Sequence, residues 1–224
     1  MVRIVIADDH LLFRKTIAQY IVKWTGFAIT GEANNGYELL QCIHQLKEEP
    51  AIAIIDVNMP VIDGIQVTKI LSDHFPNIKV LGVSLDSDSL FLGDMLDAGA
   101  KGFISKRNLD QHLKPALEIL SKGGSYVEEE FENELLLSAQ RKQNNPLPRN
   151  IPEISKKEHL FLQLNASDLE YKMIAKAMNV SDKSIHNYHD RIKDKTGISS
   201  RLGQTLFALK NGIAKMMRKD SFPK

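Results

Sequence analysis

Cysteine and tryptophan are nearly absent from this 224-residue chain, which has one of each, Cys42 and Trp24. A lone thiol can neither close an intrachain disulfide nor assemble a zinc site by itself, so neither kind of staple supports the fold. Both residues lie in apolar-periodic segments and read as core. No stretch approaches the roughly 18 uninterrupted apolar residues of a membrane span. Asp8 and Asp9 interrupt the N-terminus too early for a secretory signal, so a cytoplasmic protein with no membrane partner is expected. Net charge is almost nil as well, 29 Lys and Arg against 28 Asp and Glu. With 43% hydrophobic residues the composition excludes a wholly disordered or collagen-like chain, and the length allows one large domain or two small ones.

The small net charge conceals an asymmetry. Residues 1–123 hold 12 basic against 15 acidic residues, 124–150 hold 3 against 5, and 151–224 hold 14 against 8. An acidic first half suits metal or phosphate chemistry, and a basic second half suits a polyanion.

In the first 123 residues, short apolar runs alternate with amphipathic stretches, the rhythm of strand and helix repeats around a parallel sheet. Five strands are predicted at Val2–Ala7, Ala28–Glu32, Ile52–Asp56, Val80–Ser84 and Gly102–Ser105, each followed by a helix. Runs such as IVIA and AIAII lack polar alternation, as strands covered on both faces do. The expected architecture is an open, five-stranded, doubly wound α/β sheet, whose ligand site forms at the carboxyl edge of the strands. Asp8 and Asp9 close the first strand, Asp56 the third and Ser84 the fourth, and Lys106 follows the fifth.

Three converging carboxylates are too few for a calcium cage but suit magnesium, which keeps waters and takes phosphate oxygens. A carboxylate beside that ion can attack a phosphoryl group and become an aspartyl phosphate, and Asp56 is the predicted nucleophile. Lys106 can neutralise one phosphoryl oxygen and the Ser84 hydroxyl can bond another.

DDHLLFR at 8–14, DVNMPVIDG at 56–64, Ser84 after an apolar strand and GFISK at 102–106 together resemble the receiver domain of two-component response regulators, a flavodoxin-like fold. The resemblance implies that Asp56 is the phosphoacceptor and that Asp8, Asp9, Asp56 and the Asn58 backbone carbonyl hold Mg2+. It further implies that Ser84 and Lys106 contact the phosphoryl group, that Phe103 is the switch aromatic, and that a sensor histidine kinase is the donor. His10 reads as part of the DDH signature. One departure is Leu85, followed by Asp86, where receivers usually place a small residue.

After Gly123-Gly124 the character changes to Glu128-Glu129-Glu130 and then to RKQNNPLPRNIP, whose prolines favour an extended linker. A linker is expected over 124–151, with 125–141 either a connecting helix or a solvated charged stretch. Four helical patterns follow, near 155–165, 168–178, 182–196 and 200–217, opened by the N-cap signals Ser155 and Ser181. The short Asn179-Val180-Ser181 turn between the second and third is that of a helix-turn-helix. A small all-α domain is expected over 152–217, with a tail at 218–224.

Ser155 with Glu158, Lys172-Met173-Ile174-Ala175, Val180-Ser181 through Ile185, and Gly197 through Arg201 resemble the LuxR-type DNA-binding domain that follows a receiver in the NarL/FixJ subfamily. Ile185, Tyr188 and Ile192 form one stripe of the recognition helix and should face the core. By position in that family, His186, Asn187 and Asp190 meet base edges, whereas Lys183, Ser184, Lys195 and Arg201 meet phosphates. Between Asp182 and Lys195 four basic residues face three acidic ones, so a monomer should bind duplex DNA weakly and with strong salt dependence. A homodimer would present two such helices to half-sites about one DNA turn apart.

The expected protein is a response-regulator transcription factor rather than an enzyme. The alternative is a phosphorylation-gated regulator whose output domain binds a protein. A turnover enzyme would want a second aspartate two residues after the nucleophile, where this chain has Asn58.

Overall fold

The computed structural model describes residues 1–85, 89–131 and 152–215, which fall into two compact units, one on each side of residue 144. The first unit runs β1 (Val2–Ala7), α1 (Leu11–Val22), β2 (Phe27–Ala33), α2 (Gly36–Gln45), β3 (Ile52–Asp56), α3 (Gly64–His74), β4 (Lys79–Ser84), α4 (Ser89–Ala98), β5 (Gly102–Ser105), a short 3-10 turn (Lys106–Asn108), α5 (Leu109–Ser121), β6 (Tyr126–Val127) and a second 3-10 turn (Glu129–Phe131). All pairings are parallel, in the order β2-β1-β3-β4-β5-β6.

The sheet therefore has six strands where five were expected. The addition is short, two residues against β5, and it extends the first unit beyond Gly123 into the stretch read as linker. A pair of half-buried residues after two glycines gives no periodicity from which a strand can be read. The stretch from 132 to 151, most of the proposed linker and its possible helix, lies outside the described residues, as do Asp86 and the tail.

Ile4, Ile6, Ile52, Ile54, Leu81, Val83 and Ile104 from the sheet pack with Ile17 and Ile21 of α1 and with Leu109, Leu113, Ala116, Leu117 and Leu120 of α5. The alternate residues Val5, Ala53, Ile55 and Val80, on the opposite face, are buried as well, and this cover on both faces explains the lack of alternation in the strands. Helix entries are fixed locally. The Asn35 side chain accepts from the Glu38 amide to start α2, and Asp63 accepts from the Gln66 amide to start α3. Cys42 is half-buried; a Cβ on Gly31 would stand 2.2 Å from its Sγ, so the thiol fills space that the glycine vacates.

The second unit contains α6 (Lys156–Asn165), α7 (Tyr171–Ala177), α8 (Asp182–Thr196) and α9 (Arg201–Lys210). The α6 entry is a complete capping box: the Ser155 hydroxyl accepts from the Glu158 amide and the Glu158 carboxylate accepts from the Ser155 amide. Ser181 and Ser200 cap α8 and α9 in the same sense, and Gly197 ends α8 at φ 73°, a left-handed position that favours glycine. The turn before α8 contains Asn179 at φ 52°, where asparagine is among the better-tolerated residues. Ile185, Tyr188 and Ile192 are buried, as their spacing predicts.

Candidate functional site

The carboxyl ends of β1, β3, β4 and β5 deliver Asp8, Asp56, Ser84 and Lys106 to one edge of the sheet. Asp8 is fully buried and Asp56 is 3% exposed. The Lys106 ammonium stands 2.6 Å from Asp8 Oδ2 and 2.9 Å from Asp56 Oδ2, so one cation is shared by two buried carboxylates. The ammonium also lies over the Phe13 ring, with Nζ 4.5 Å from its centroid.

Burial pushes Asp56 up to about 6, with Asp8 adding to the rise; attraction to Lys106 and the hydrogen bonds from Lys106 and the Asn58 amide pull the other way without cancelling it. Asp9 lies at the mouth, where its Oδ1 is 2.8 Å from His10 Nδ1. The His10 amide donates to Asp8 Oδ1 at 2.7 Å.

Asp8, Asp9, His10 and Asp56 each offer a ligand atom, all within 4.8 Å of one another. Asp8 Oδ2 is buried and, despite its ion contact with Lys106, accepts no aligned hydrogen bond among the described residues. Such an oxygen gains from a cation, and three gathered carboxylates, of which Asp8 and Asp56 share the one Lys106 ammonium, leave negative charge to balance. The donor set fits a divalent ion.

The loop after Asp56 is tightly specified. A Cβ on Gly64 would lie 2.1 Å from the Asp56 carbonyl oxygen, so α3 can start this close to β3 only without a side chain. The Gly64 amide donates to the Val57 carbonyl at 2.9 Å. Val61 holds φ 73°, a costly place for a β-branched residue and the kind of strain that clusters at functional sites.

Ser84 is fully buried and pairs across the sheet with Ser105, next to Lys106. Phe103 is fully buried too, its ring edge-on to that of Phe131 with centroids 5.5 Å apart. Leu85 is 53% exposed. Phe13 and Arg14, in the same DDHLLFR run, also belong to the site, which the motif alone does not reveal: Arg14 is buried and its guanidinium donates to the Asp8 carbonyl. Their place in the first turn of α1, five and six residues after Asp8, puts them beside it.

In the second unit, α8 exposes Lys183, His186, Asn187, Asp190, Arg191 and Lys193, while Ser184 is half-buried with its hydroxyl 2.9 Å from that of Ser181. Two predicted phosphate contacts are occupied within the domain. Lys195 Nζ donates to Glu158 Oε2 at 2.7 Å. Arg201 donates to the carbonyls of Ser167 at 2.8 Å and Leu169 at 2.6 Å, with its guanidinium 5.5 Å from the Tyr171 ring centre. Arg201 ties the start of α9 to the loop before α7. Burial pushes the Glu158 carboxyl up, but the hydrogen bonds from Lys195 and Ser155 outweigh it and hold the group below its ordinary value.

Residues 4–118 match the family model described as the response regulator receiver domain, and 152–208 match the bacterial regulatory proteins of the luxR family. The chain belongs to the response regulators. The regulator is 26% identical over 229 residues to the transcriptional regulatory protein DegU of Brevibacillus brevis, covering 96% of both chains. It is 28% identical over 213 residues to the response regulator GacA of Pseudomonas viridiflava, covering 95% of this chain and 98% of the relative. Among solved structures it resembles RcsB of Salmonella enterica serovar Typhimurium bound to the promoter P1flhDC in the presence of BeF3-, with a TM-score of 0.56 and 24% identity over 93% of this chain and 98% of that one. That likeness bears on the regulator's fold. Among its described residues no helix is long and apolar enough to cross a membrane.

Proposed function

We propose that this regulator accepts a phosphoryl group on Asp56 from a sensor histidine kinase and, in response, binds duplex DNA through α8 to control transcription in the cytoplasm. The observation that carries the reading is the shared ammonium: Asp56 is nearly closed off from water and held 2.9 Å from Lys106, which Asp8 also claims. In the transfer, an Asp56 oxygen forms the bond to phosphorus while the donor's imidazole nitrogen leaves with the bonding electron pair. Lys106 then holds a phosphoryl oxygen as a fixed positive charge, and the Ser84 hydroxyl donates to another. Asp8, Asp9, Asp56 and the Asn58 carbonyl would hold Mg2+, which when bound supplies positive charge to the phosphoryl oxygens.

The modification adds close to two negative charges at a buried corner. Ser84 shifts toward them, and Phe103 takes the space that opens beneath β4, where Gly82 leaves room: a Cβ there would stand 2.9 Å from the Phe103 ring. The resulting change in the sheet edge shifts the population toward a state that dimerises or frees α8.

On α8, His186, Asn187 and Asp190 are proposed to read bases and Lys183 and Ser184 to meet phosphates, joined by the exposed Arg191 and Lys193. Lys195 and Arg201 are left to hold the domain together. The test is incubation of the full chain with acetyl phosphate and magnesium, followed by intact mass. The native protein gains one phosphoryl group and Asp56→Asn gains none; an equal gain in both would move the acceptor elsewhere.

A further inference from the structure

The segment after α5 makes polar contacts that the reading above does not use. β6 lies in register with β5, Gly102 opposite Tyr126 and Phe103 opposite Val127. A Cβ on Gly102 would stand 2.9 Å from the Tyr126 carbonyl oxygen, so this close approach needs glycine there. The next residue, Glu128, is 3% exposed and turns its carboxylate back toward the corner after β5. Its Oε1 accepts from the Ser105 amide at 2.6 Å and its Oε2 accepts from the Asn108 side-chain amide at 3.0 Å. His112 Nε2 lies 3.9 Å from the same Oε2, and His112 Nδ1 is 2.6 Å from the Tyr126 hydroxyl.

Lys106 sits between the two residues that Glu128 grips. The corner already has a local cap, since the Ser105 hydroxyl accepts from the Arg107 amide at 3.2 Å. The long-range grip from 23 residues away is an addition to it. A buried carboxylate with charge-assisted bonds on both oxygens resists displacement, because losing either donor leaves charge uncompensated. Phe131, three residues further on, closes over Phe103.

We infer that Glu128 is a positioning residue for phosphoryl acceptance: by clamping Ser105 and Asn108 it fixes where the Lys106 ammonium stands against Asp8 and Asp56. The inference rests on the proposal that Asp56 is the acceptor. It also makes the chain's exit from the receiver sensitive to the site, since a shift of Lys106 or Phe103 is transmitted to Glu128 or Phe131. Coupling of this kind is reciprocal.

The test times the gain of phosphoryl mass from acetyl phosphate and magnesium in the full chain for the native protein, Glu128→Ala, Glu128→Gln, Lys106→Ala and the double variant Lys106→Ala/Glu128→Ala. Glu128→Ala should slow the gain by roughly 10- to 100-fold, the scale of a misplaced reacting group. Glu128→Gln should recover part of the loss, because its single carbonyl oxygen can serve the Ser105 amide but not also Asn108. In the Lys106→Ala background the removal of Glu128 should add nothing, whereas a general loosening of the domain would slow that variant further.

If Glu128→Ala melts below the assay temperature, the same cycle is run with Glu128→Gln. If Lys106→Ala accepts too slowly to time, the beryllofluoride concentration that half-saturates each variant is read instead, with the same pattern expected. A native rate in Glu128→Ala, or an equal fold loss with and without Lys106, overturns the inference. Failure of the underlying proposal has a different mark: no mass gain in the native chain, or a gain that survives Asp56→Asn.

Discussion

Lys106 and Asp56 meet at 2.9 Å inside a pocket where Asp8 contacts the same ammonium at 2.6 Å. Two buried anions share one buried cation, so the group is balanced only in part and is poised to take up further positive charge. Removing the cation should therefore be costly. Lys106→Met in metal-free buffer is expected to lose about 3–5 kcal/mol of stability, the usual cost of stranding a buried charge, and to regain part of it with magnesium. Urea unfolding with and without the ion checks this, and a midpoint unchanged by the substitution would refute the shared-charge description.

The elevated Asp56 sets a pH dependence. Its folded value of about 6 lies above the ordinary 3.8, so the folded state holds this proton more tightly than the unfolded state does. The resulting stability is fully present below the ordinary value and is lost as pH rises through about 6. Metal-free native protein should be less stable at neutral pH than near pH 5 relative to Asp56→Asn, by about 1 kcal/mol, because only the one unit between pH 5 and the folded value of about 6 is crossed at roughly 1.36 kcal/mol per unit. Thermal unfolding of the two proteins across this range is the measurement; parallel curves would exclude the raised value.

Gly64→Ala tests the loop after Asp56. Its methyl would fall on the Asp56 carbonyl oxygen, 2.1 Å from the unshifted position, and neither group is on a flexible side chain. A loss of about 1–3 kcal/mol is expected, the range for overpacking, together with slowed phosphoryl acceptance as the β3 end is displaced. Native stability and rate would show that α3 does not need to start so close.

In the second unit, Arg201 and Lys183 should separate. Arg201→Ala removes donors from the Ser167 and Leu169 carbonyls and is expected to cost about 1–3 kcal/mol in the unfolding of this domain. Lys183 is exposed on α8, so Lys183→Ala should leave stability within about 0.5 kcal/mol of native. That variant should instead weaken DNA binding uniformly across sequences and lower the salt slope by about 1. The reverse assignment, with Arg201 governing the salt slope, would return it to the DNA surface.

Much of this architecture is legible in the sequence because its signals are local. Unbroken apolar runs mark buried strands, and acidic residues at the ends of β1 and β3 place the site at one edge. The Ile185, Tyr188 and Ile192 spacing orients α8 correctly. What the sequence hides are long-range partners. Helical periodicity puts Lys195 and Arg201 near a surface but does not reveal that Glu158 and two loop carbonyls claim them. Glu128 and Phe131 read as part of an acidic, glycine-led linker, since nothing local indicates that this short stretch adds a strand and reaches back to Ser105 and Phe103.

The claim that modification of Asp56 governs DNA binding is tested most directly by titrating the full chain against duplexes selected from a random-sequence library. Beryllofluoride with magnesium is added or omitted, for the native protein and for Asp56→Asn. If modification of Asp56 governs binding, beryllofluoride tightens it in the native chain, added salt weakens it steeply, and Asp56→Asn does not respond. Equal affinity with and without beryllofluoride, in a native chain shown by mass to accept phosphoryl, would contradict it.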